Sequence, residues 1–202
     1  CLSESGVLLA CEIDSRMVPV EGEPENVWEK AGENLYSLRD KTQVPLQDCS
    51  IQVTQYENIA HIVVPRFISP VSFTSDEPEK LKNCYDILLS TARDSKSKIM
   101  VLPFLGTVKK GSISEFRVAD SVNIAFKSVF EAIRNGEMEG VEEIVFVTTR
   151  EVVRDAAKSH HLYSTRKEKN VKEPDNRQCT VGQLQVPQTI RSKCDGLHVR
   201  YS

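Results

Sequence analysis

The sequence predicts a three-layer α/β/α protein, in which a central mixed, mostly parallel sheet is covered by helices on both faces. Short apolar runs of strand length alternate with helical stripes from residue 60 onward. The strand candidates are almost continuously apolar, which is typical of strands that are buried on both faces. Hydrophobic residues make up 40% of the 202 residues and charged residues 27%, so the chain can form a full core.

The first half of the chain supplies three strand candidates and one helix. Residues 6–13, 50–54 and 60–65 are apolar runs of strand length, and the third is rich in β-branched side chains. Pro24 begins a helix, where its missing N–H group is tolerated. The apolar residues of this helix recur at steps of three and four: Val27, Trp28, Ala31, Leu35 and Leu38.

The second half alternates helix and strand. The predicted elements are a helix over 79–93, a strand over 98–102, a long helix over 113–135, a strand over 143–147 and a short helix over 151–158. Either Ser112 or Ser114 caps the long helix, and Ser112 and Glu115 have the spacing of a capping box. Asn135 and Gly136 supply a left-handed stop at its end.

Charge divides the chain into an acidic domain over residues 1–160 and a basic tail, or the start of a neighbouring module, over 161–202. Residues 159–202 hold eight Lys/Arg and four Asp/Glu, whereas the preceding residues have a balance of −7. A basic tail can bind nucleic acid through phosphate contacts. Its only aromatic residues are Tyr163 and Tyr201, so a solvated linker is the alternative.

The remaining composition predicts a domain of a larger cytoplasmic or nuclear protein. The six cysteines form no CxxC pair, which favours reduced thiols. No segment has the roughly 18 apolar residues of a membrane span, so no membrane partner is expected. Four residues have zinc-ligand chemistry but not zinc-site spacing, namely His160, His161, Cys179 and Cys194. We therefore predict no metal and no other cofactor, and we expect His61 to be a buried strand residue.

The loop after the strand over 98–102 is the most informative segment for function. In open α/β sheets, ligands bind beyond the carboxyl ends of the strands. Gly106 and Gly111 allow backbone N–H groups to approach a ligand closely and form an anion nest. The following helix adds the positive end of its dipole. The loop is therefore a candidate phosphate or pyrophosphate site, and the alternative is a turn in which the glycines serve the backbone alone.

Two segments resemble the macrodomain family, whose fold binds ADP-ribose. Residues 81–85 are similar to a family helix with a Cys-Tyr-like pair. Residues 98–108 are similar to the family strand that ends in Pro-Ala-Ile/Leu, with the glycine-rich loop that wraps the diphosphate. Upstream, residues 60–65 resemble another family strand more loosely. The likeness covers about residues 5–158 and is strongest from residue 79 onward.

The resemblance implies a set of ligand-binding residues. In the loop they are Gly106, Thr107, Val108, Lys109, Lys110 and Gly111. Val108 stands where the family has a central glycine, and Lys110 stands where it has an aromatic residue. Lys109 and Lys110 either pair directly with phosphate or form a solvated loop tip. Asp14 either hydrogen-bonds a ribose or base edge or forms a turn.

The sequence departs from the family in its first binding strand and loop. Residues 10–14 lack the asparagines of the family's Asn-Ala-Ala-Asn type motif. Residues 17–24 hold one glycine and two acidic residues, which would repel a diphosphate. Family members that hydrolyse ADP-ribose linkages use these motifs to position a water molecule. We therefore predict a divergent, non-catalytic module that recognises ADP-ribose or a related nucleotide within a larger protein.

Two alternatives remain open. The first is a protein-interaction module whose degenerate cleft is filled by side chains such as Met17, Phe104 or Val108. The second is an ADP-ribosyl hydrolase. Protein partners are expected if the cleft no longer accepts a nucleotide.

Overall fold

The computed structural model of the chain describes residues 6–18, 45–53, 59–65, 67, 69, 71–107, 113–170, 188–191 and 198–201. These residues form seven strands and three helices. In chain order they are β1 (Val7–Ile13), β2 (Ile51–Val53), β3 (Ile59–Val63), α1 (Glu77–Asp94), β4 (Ile99–Pro103), α2 (Glu115–Arg134), β5 (Glu143–Val147), α3 (Glu151–Asn170), β6 (Gln188–Arg191) and β7 (His198–Tyr201).

The strands form one mixed sheet in the order β2-β3-β1-β4-β5-β7-β6. The five inner strands are parallel to one another, and the edge strands β2 and β6 are antiparallel to the strands that they pair with. This arrangement confirms the predicted α/β fold with a mixed, mostly parallel sheet. Because β1, β3, β4 and β5 run in the same direction, their last residues lie at one edge of the sheet, which we call the carboxyl edge.

Helices α1 and α2 pack against each other, as do α2 and α3. The buried residues of α1 recur at steps of three and four, as its amphipathic pattern predicted: Leu81, Cys84, Tyr85, Leu88 and Ala92. The apolar stripe of α2 is likewise buried. These helices cover one face of the sheet.

The interior of the helix-covered face is aromatic. The rings of Phe104 and Phe146 are stacked with centroids 4.7 Å apart, and Phe126 meets Phe146 edge to face at 5.3 Å. All three side chains are at most 2% exposed. Alternation along β1 directs Leu8 and Ala10 into this core.

The opposite face of the sheet carries a second, smaller apolar cluster. Its buried members are Cys11, Ile13, Met17, Ile59 and Val63. Strand alternation also places His61, which is 0% exposed, on this face. Burial lowers the pKa of His61 to about 4, so its imidazole is neutral at pH 7. The helix predicted to begin at Pro24 lies outside the described residues.

Two boundaries differ from the predictions. Ser114 is the N-cap of α2 and accepts a hydrogen bond from the Arg117 N–H at 3.2 Å, so the helix begins later than the capping box at Ser112 requires. Helix α3 continues to Asn170 rather than ending near Lys158, because the helical hydrogen bonding extends into the polar segment.

The predicted tail contributes to the sheet. Helix α3 crosses the proposed boundary at residue 160, and β7 pairs with β5 in parallel while β6 pairs with β7. The strand suggested near residues 181–186 lies outside the described residues. The division into a domain over 1–160 and a tail over 161–202 stays a prediction.

The described cysteines are buried free thiols, namely Cys11, Cys49 and Cys84. Burial raises the pKa of Cys11 to about 12 and also raises the pKa of Cys84, so both are protonated at pH 7. None of the described helices is long and apolar enough to span a bilayer.

Candidate functional site

The loop after β4 is held from below by a buried tyrosine. Phe104 anchors the start of the loop in the core. The Leu105 N–H donates to the Tyr85 hydroxyl at 2.8 Å, and Tyr85 comes from α1 and is 0% exposed. Burial raises the pKa of Tyr85 well above its ordinary value, so the phenol is protonated. Gly106 follows with φ of 70°, a left-handed conformation that favours glycine.

The Gly106 amide faces a carboxylate of the protein itself. Its N–H donates to Glu12 Oε2 at 3.1 Å. Glu12 lies near the carboxyl end of β1, on the same face as Leu8 and Ala10, and is only 4% exposed. Sequence reasoning did not single out Glu12 as a site residue. Its signal was a charged residue inside an otherwise apolar strand.

Arg150 lies at the Thr107 end of the loop. It is a second site residue that the sequence did not indicate. Arg150 is half-buried between β5 and α3, and its Nη1 donates a hydrogen bond to the Thr107 carbonyl oxygen. The Thr107 hydroxyl in turn donates to the Phe104 carbonyl oxygen at 2.6 Å. The carboxyl ends of β1, β4 and β5 therefore bring a carboxylate, a glycine turn and a guanidinium together. The only sequence signal for Arg150 was its place after a strand.

The outer side of the loop is covered by Phe67. A Cβ atom added to Gly106 would lie 2.8 Å from Phe67 Cε2, so the ring contacts the glycine directly. The Arg117 guanidinium lies 4.4 Å from the centroid of the Phe67 ring and 3.6 Å from that of Phe73. Arg117 Nη1 also donates to the Ser69 carbonyl oxygen at 3.1 Å. This stack fixes the segment after β3 against the first turn of α2.

Buried charges of both signs meet at this edge. Arg117 is 2% exposed; burial lowers its pKa, and the carboxylates of Glu77, Asp120 and Glu12 oppose that effect. Arginine nevertheless stays protonated in proteins. The negative charge of Glu12 also contributes to the raised pKa of Tyr85. Glu12 and Arg117 therefore act on each other in a region with little water.

The structure places two of the predicted loop residues, Gly106 and Thr107, at the carboxyl edge. The other predicted loop residues lie outside the described part of the chain: Val108, Lys109, Lys110 and Gly111. Asp14 forms a turn, in which its Oδ1 accepts from the N–H groups of Arg16 at 2.8 Å and Val18 at 2.9 Å. Ligand contacts for all these residues stay a prediction.

Two of the three side chains expected to fill a degenerate cleft lie within the described residues, and the filled cleft itself stays a prediction. Phe104 is buried in the main core, Met17 is buried in the cluster on the opposite face, and Val108 lies outside the described residues. Glu12 and Phe67 contact Gly106 instead. Glu12 lies near the carboxyl end of β1, and Phe67 follows β3.

A cavity of about 400 Å³ lies elsewhere, between the outer surfaces of α2 and α3. It is lined by Asn123, Lys127, Phe130, Glu131, Arg134 and His160. None of the described residues of the β4 loop lines it. Among the described residues, no three His, Cys, Asp or Glu side chains come together as they would around a metal ion.

No model of a known protein family and no curated protein matches the sequence. Solved structures do match. The macro domain of ganglioside induced differentiation associated protein 2 superposes with a TM-score of 0.62 at 17% identity, over 76% of this chain and 74% of that one.

Two further matches are macrodomains with bound nucleotides. The Trypanosoma brucei macrodomain in complex with ADP-ribose has a TM-score of 0.60 and 16% identity over 76% of this chain. It is matched over 62% of its own length, which is less than two thirds. The Oceanobacillus iheyensis macrodomain with ADP has a TM-score of 0.63 and 16% identity, over 82% of this chain and 88% of that one. Similarity at this level of identity establishes architecture alone, and on that basis this chain has the macrodomain fold.

Proposed function

We propose that this chain is a non-catalytic recognition module that binds ADP-ribose or a related nucleotide at the carboxyl edge. The observation that carries the proposal is the Gly106 amide, whose N–H is directed at a carboxylate oxygen 3.1 Å away. An amide in a left-handed turn after a parallel strand is suited to an anionic ligand group. The matched Trypanosoma and Oceanobacillus macrodomains hold ADP-ribose and ADP, respectively.

The positive charge beside the loop is consistent with such a ligand. The Arg150 guanidinium already contacts the Thr107 carbonyl oxygen. A guanidinium is planar and pairs with phosphate through two parallel hydrogen bonds, which makes it a stronger phosphate partner than a single neutral donor. Lys109 and Lys110 follow in the sequence and would add to this charge.

The end of β1 supports a non-catalytic role. Hydrolysis needs polar groups that orient a water molecule at the bond to be cleaved. The residues at this position are Glu12, which bonds to Gly106, the apolar Ile13, and Asp14, which is engaged in its own turn. We therefore infer recognition rather than turnover.

A second candidate function is protein interaction through a closed site. Two observations favour it: Glu12 accepts the hydrogen bond of the Gly106 amide, and the Phe67 ring packs against the same glycine. Under this hypothesis the fold is a scaffold, and nucleotides do not bind. The two candidates therefore differ in one measurable quantity, the affinity for ADP-ribose.

The test is a calorimetric titration of the 202-residue chain with ADP-ribose, together with its melting temperature. Binding to the folded state alone raises the melting temperature by mass action. We expect Arg150→Ala to weaken ADP-ribose binding by about tenfold, because it removes a charge-assisted hydrogen bond. Arg134→Ala is the matched control, since Arg134 is exposed at the far end of α2.

Three results are informative. Binding by the wild type and by Arg134→Ala, with a loss in Arg150→Ala, supports nucleotide recognition. If millimolar ADP-ribose gives no binding heat and no shift in melting temperature, nucleotide recognition is contradicted and the protein-interaction candidate is favoured. Release of ADP-ribose from a modified protein would show that the module is catalytic.

A further inference from the structure

We propose that the Glu12 carboxylate is an internal competitor for the ligand's phosphate at the Gly106 amide. This inference rests on the proposed function of the same site and concerns its selectivity. Glu12 would lower the affinity for diphosphate-bearing ligands, whereas neutral nucleosides would be unaffected. The residue would therefore determine which nucleotides the module accepts.

The geometry supports competition because one donor serves both groups. The Gly106 N–H points at Glu12 Oε2, with a nitrogen-to-oxygen distance of 3.1 Å. A backbone N–H makes one strong hydrogen bond, and a carboxylate and a phosphate are both anionic acceptors. A phosphate that reached this amide would have to displace Glu12. Phe67 also packs against Gly106.

The charge of Glu12 also opposes a second anion. Glu12 is 4% exposed, and its field is felt by the buried groups around it, since it adds to the raised pKa of both Cys11 and Tyr85. Water screens such charges poorly when they are buried. Arg117 is the nearby buried cation, and the carboxylates of Glu77, Asp120 and Glu12 all act to raise its pKa. A diphosphate at this amide would therefore bring a second negative charge close to Glu12.

A purely structural role predicts a different result. If Glu12 serves only to satisfy the Gly106 N–H, its removal loosens the loop and weakens every ligand, because a buried donor without an acceptor is unfavourable. If Glu12 competes, its removal frees the amide, and a phosphate oxygen takes its place. The direction of the change in affinity distinguishes these roles.

The experiment is an NMR titration of the ¹⁵N-labelled 202-residue chain with ADP-ribose and with adenosine. The variants are Glu12→Ala and Glu12→Gln, and Glu139→Ala removes one carboxylate from an exposed turn as the matched control. We expect Glu12→Ala to bind ADP-ribose at least about tenfold more tightly than the wild type, with adenosine unchanged. The Gly106 resonance reports directly on its hydrogen bond.

The neutral isostere Glu12→Gln keeps the side-chain volume, and we expect a smaller gain of the same sign. This variant carries the test if Glu12→Ala does not fold. An equal gain for adenosine, or a gain in Glu139→Ala, would overturn the inference because the effect would not concern phosphate at this amide.

The result also separates this inference from the proposed function. If the wild type binds ADP-ribose and the Glu12 variants bind it equally or more weakly, competition is refuted and nucleotide recognition stands. If only the Glu12 variants bind, competition is supported and the wild-type chain is not a nucleotide reader. If no form binds, both proposals fail.

Discussion

The interior of the helix-covered face and its carboxyl edge are stabilised by different chemistry. In the interior, Phe104, Phe126 and Phe146 pack ring against ring. At the edge, Glu12 and Arg117 are almost equally inaccessible but have ionisable side chains. Burying apolar surface is favourable without a specific partner, whereas a buried charge needs one. The interior therefore stabilises the fold, and the polar edge is where our proposals place ligand selectivity.

Phe146→Ala is expected to have the largest effect on stability. It removes a fully buried ring that contacts Phe104 and Phe126, and such truncations cost about 3–5 kcal/mol. Urea denaturation measures the change in free energy of unfolding. Phe116→Ala is the control, because Phe116 is 80% exposed and should change the same quantity by less than about 0.5 kcal/mol. Similar losses for the two variants would show that the aromatic interior does not dominate stability.

His61 is a polar group inside the sheet rather than at its edge, so it tests whether buried polarity matters only at the edge. Burial lowers its pKa to about 4 in the folded chain, whereas an unfolded histidine has a pKa near 6.5. The unfolded chain therefore binds a proton first as the pH falls. Stability is fully present above about pH 6.5 and is lost progressively down to about pH 4, by roughly 3 kcal/mol.

The measurement is the free energy of unfolding at several pH values for the wild type and His61→Leu. The variant cannot titrate at this position, so its loss of stability between pH 6.5 and 4 should be smaller. Parallel pH profiles for the two proteins would mean that His61 is protonated as readily in the folded chain as in the unfolded one.

The smallest effect concerns the contact between Phe67 and Gly106. Gly106 and Gly136 both have positive φ, at 70° and 73°, but only Gly106 has a neighbour where a Cβ atom would lie. Alanine at either position incurs backbone strain of about 1–2 kcal/mol. We expect Gly106→Ala to lose at least about 1 kcal/mol more than Gly136→Ala, because it also overpacks against Phe67. Equal losses in thermal unfolding would indicate that the Phe67 ring moves aside freely.

The helix and strand pattern was largely readable from residue order. The apolar run in β1 and the stripe of α1 each repeat at the period of the element that they form. The ends were less predictable. By sequence, Ser112 and Ser114 could each cap α2. In the structure Ser114 is the cap, and its hydroxyl also donates to the carbonyl oxygen of Val71, which is distant in the chain. Helix α3 extends into a polar segment, where apolar periodicity gives little guidance.

The candidate site was only partly readable. Gly106 stood out because a glycine after a strand indicates an unusual turn, and its positive φ agrees. Arg150 and Phe67 gave no comparable signal, since an arginine after a strand and a phenylalanine in a loop are common. Their roles depend on contacts with Thr107 and Gly106, which come from other parts of the chain.

The sequence by itself determined the α/β architecture and the approximate positions of β1–β5 and α1–α3, but not β6 and β7. It also predicts that a ligand binds at the loop after β4. These properties follow from short-range periodicity and from backbone preferences of single residues. Only the tertiary structure decided what the loop meets. Glu12 and Gly106 are 94 residues apart in the chain, and they come together because β1 and β4 pair in parallel and end at the same edge of the sheet.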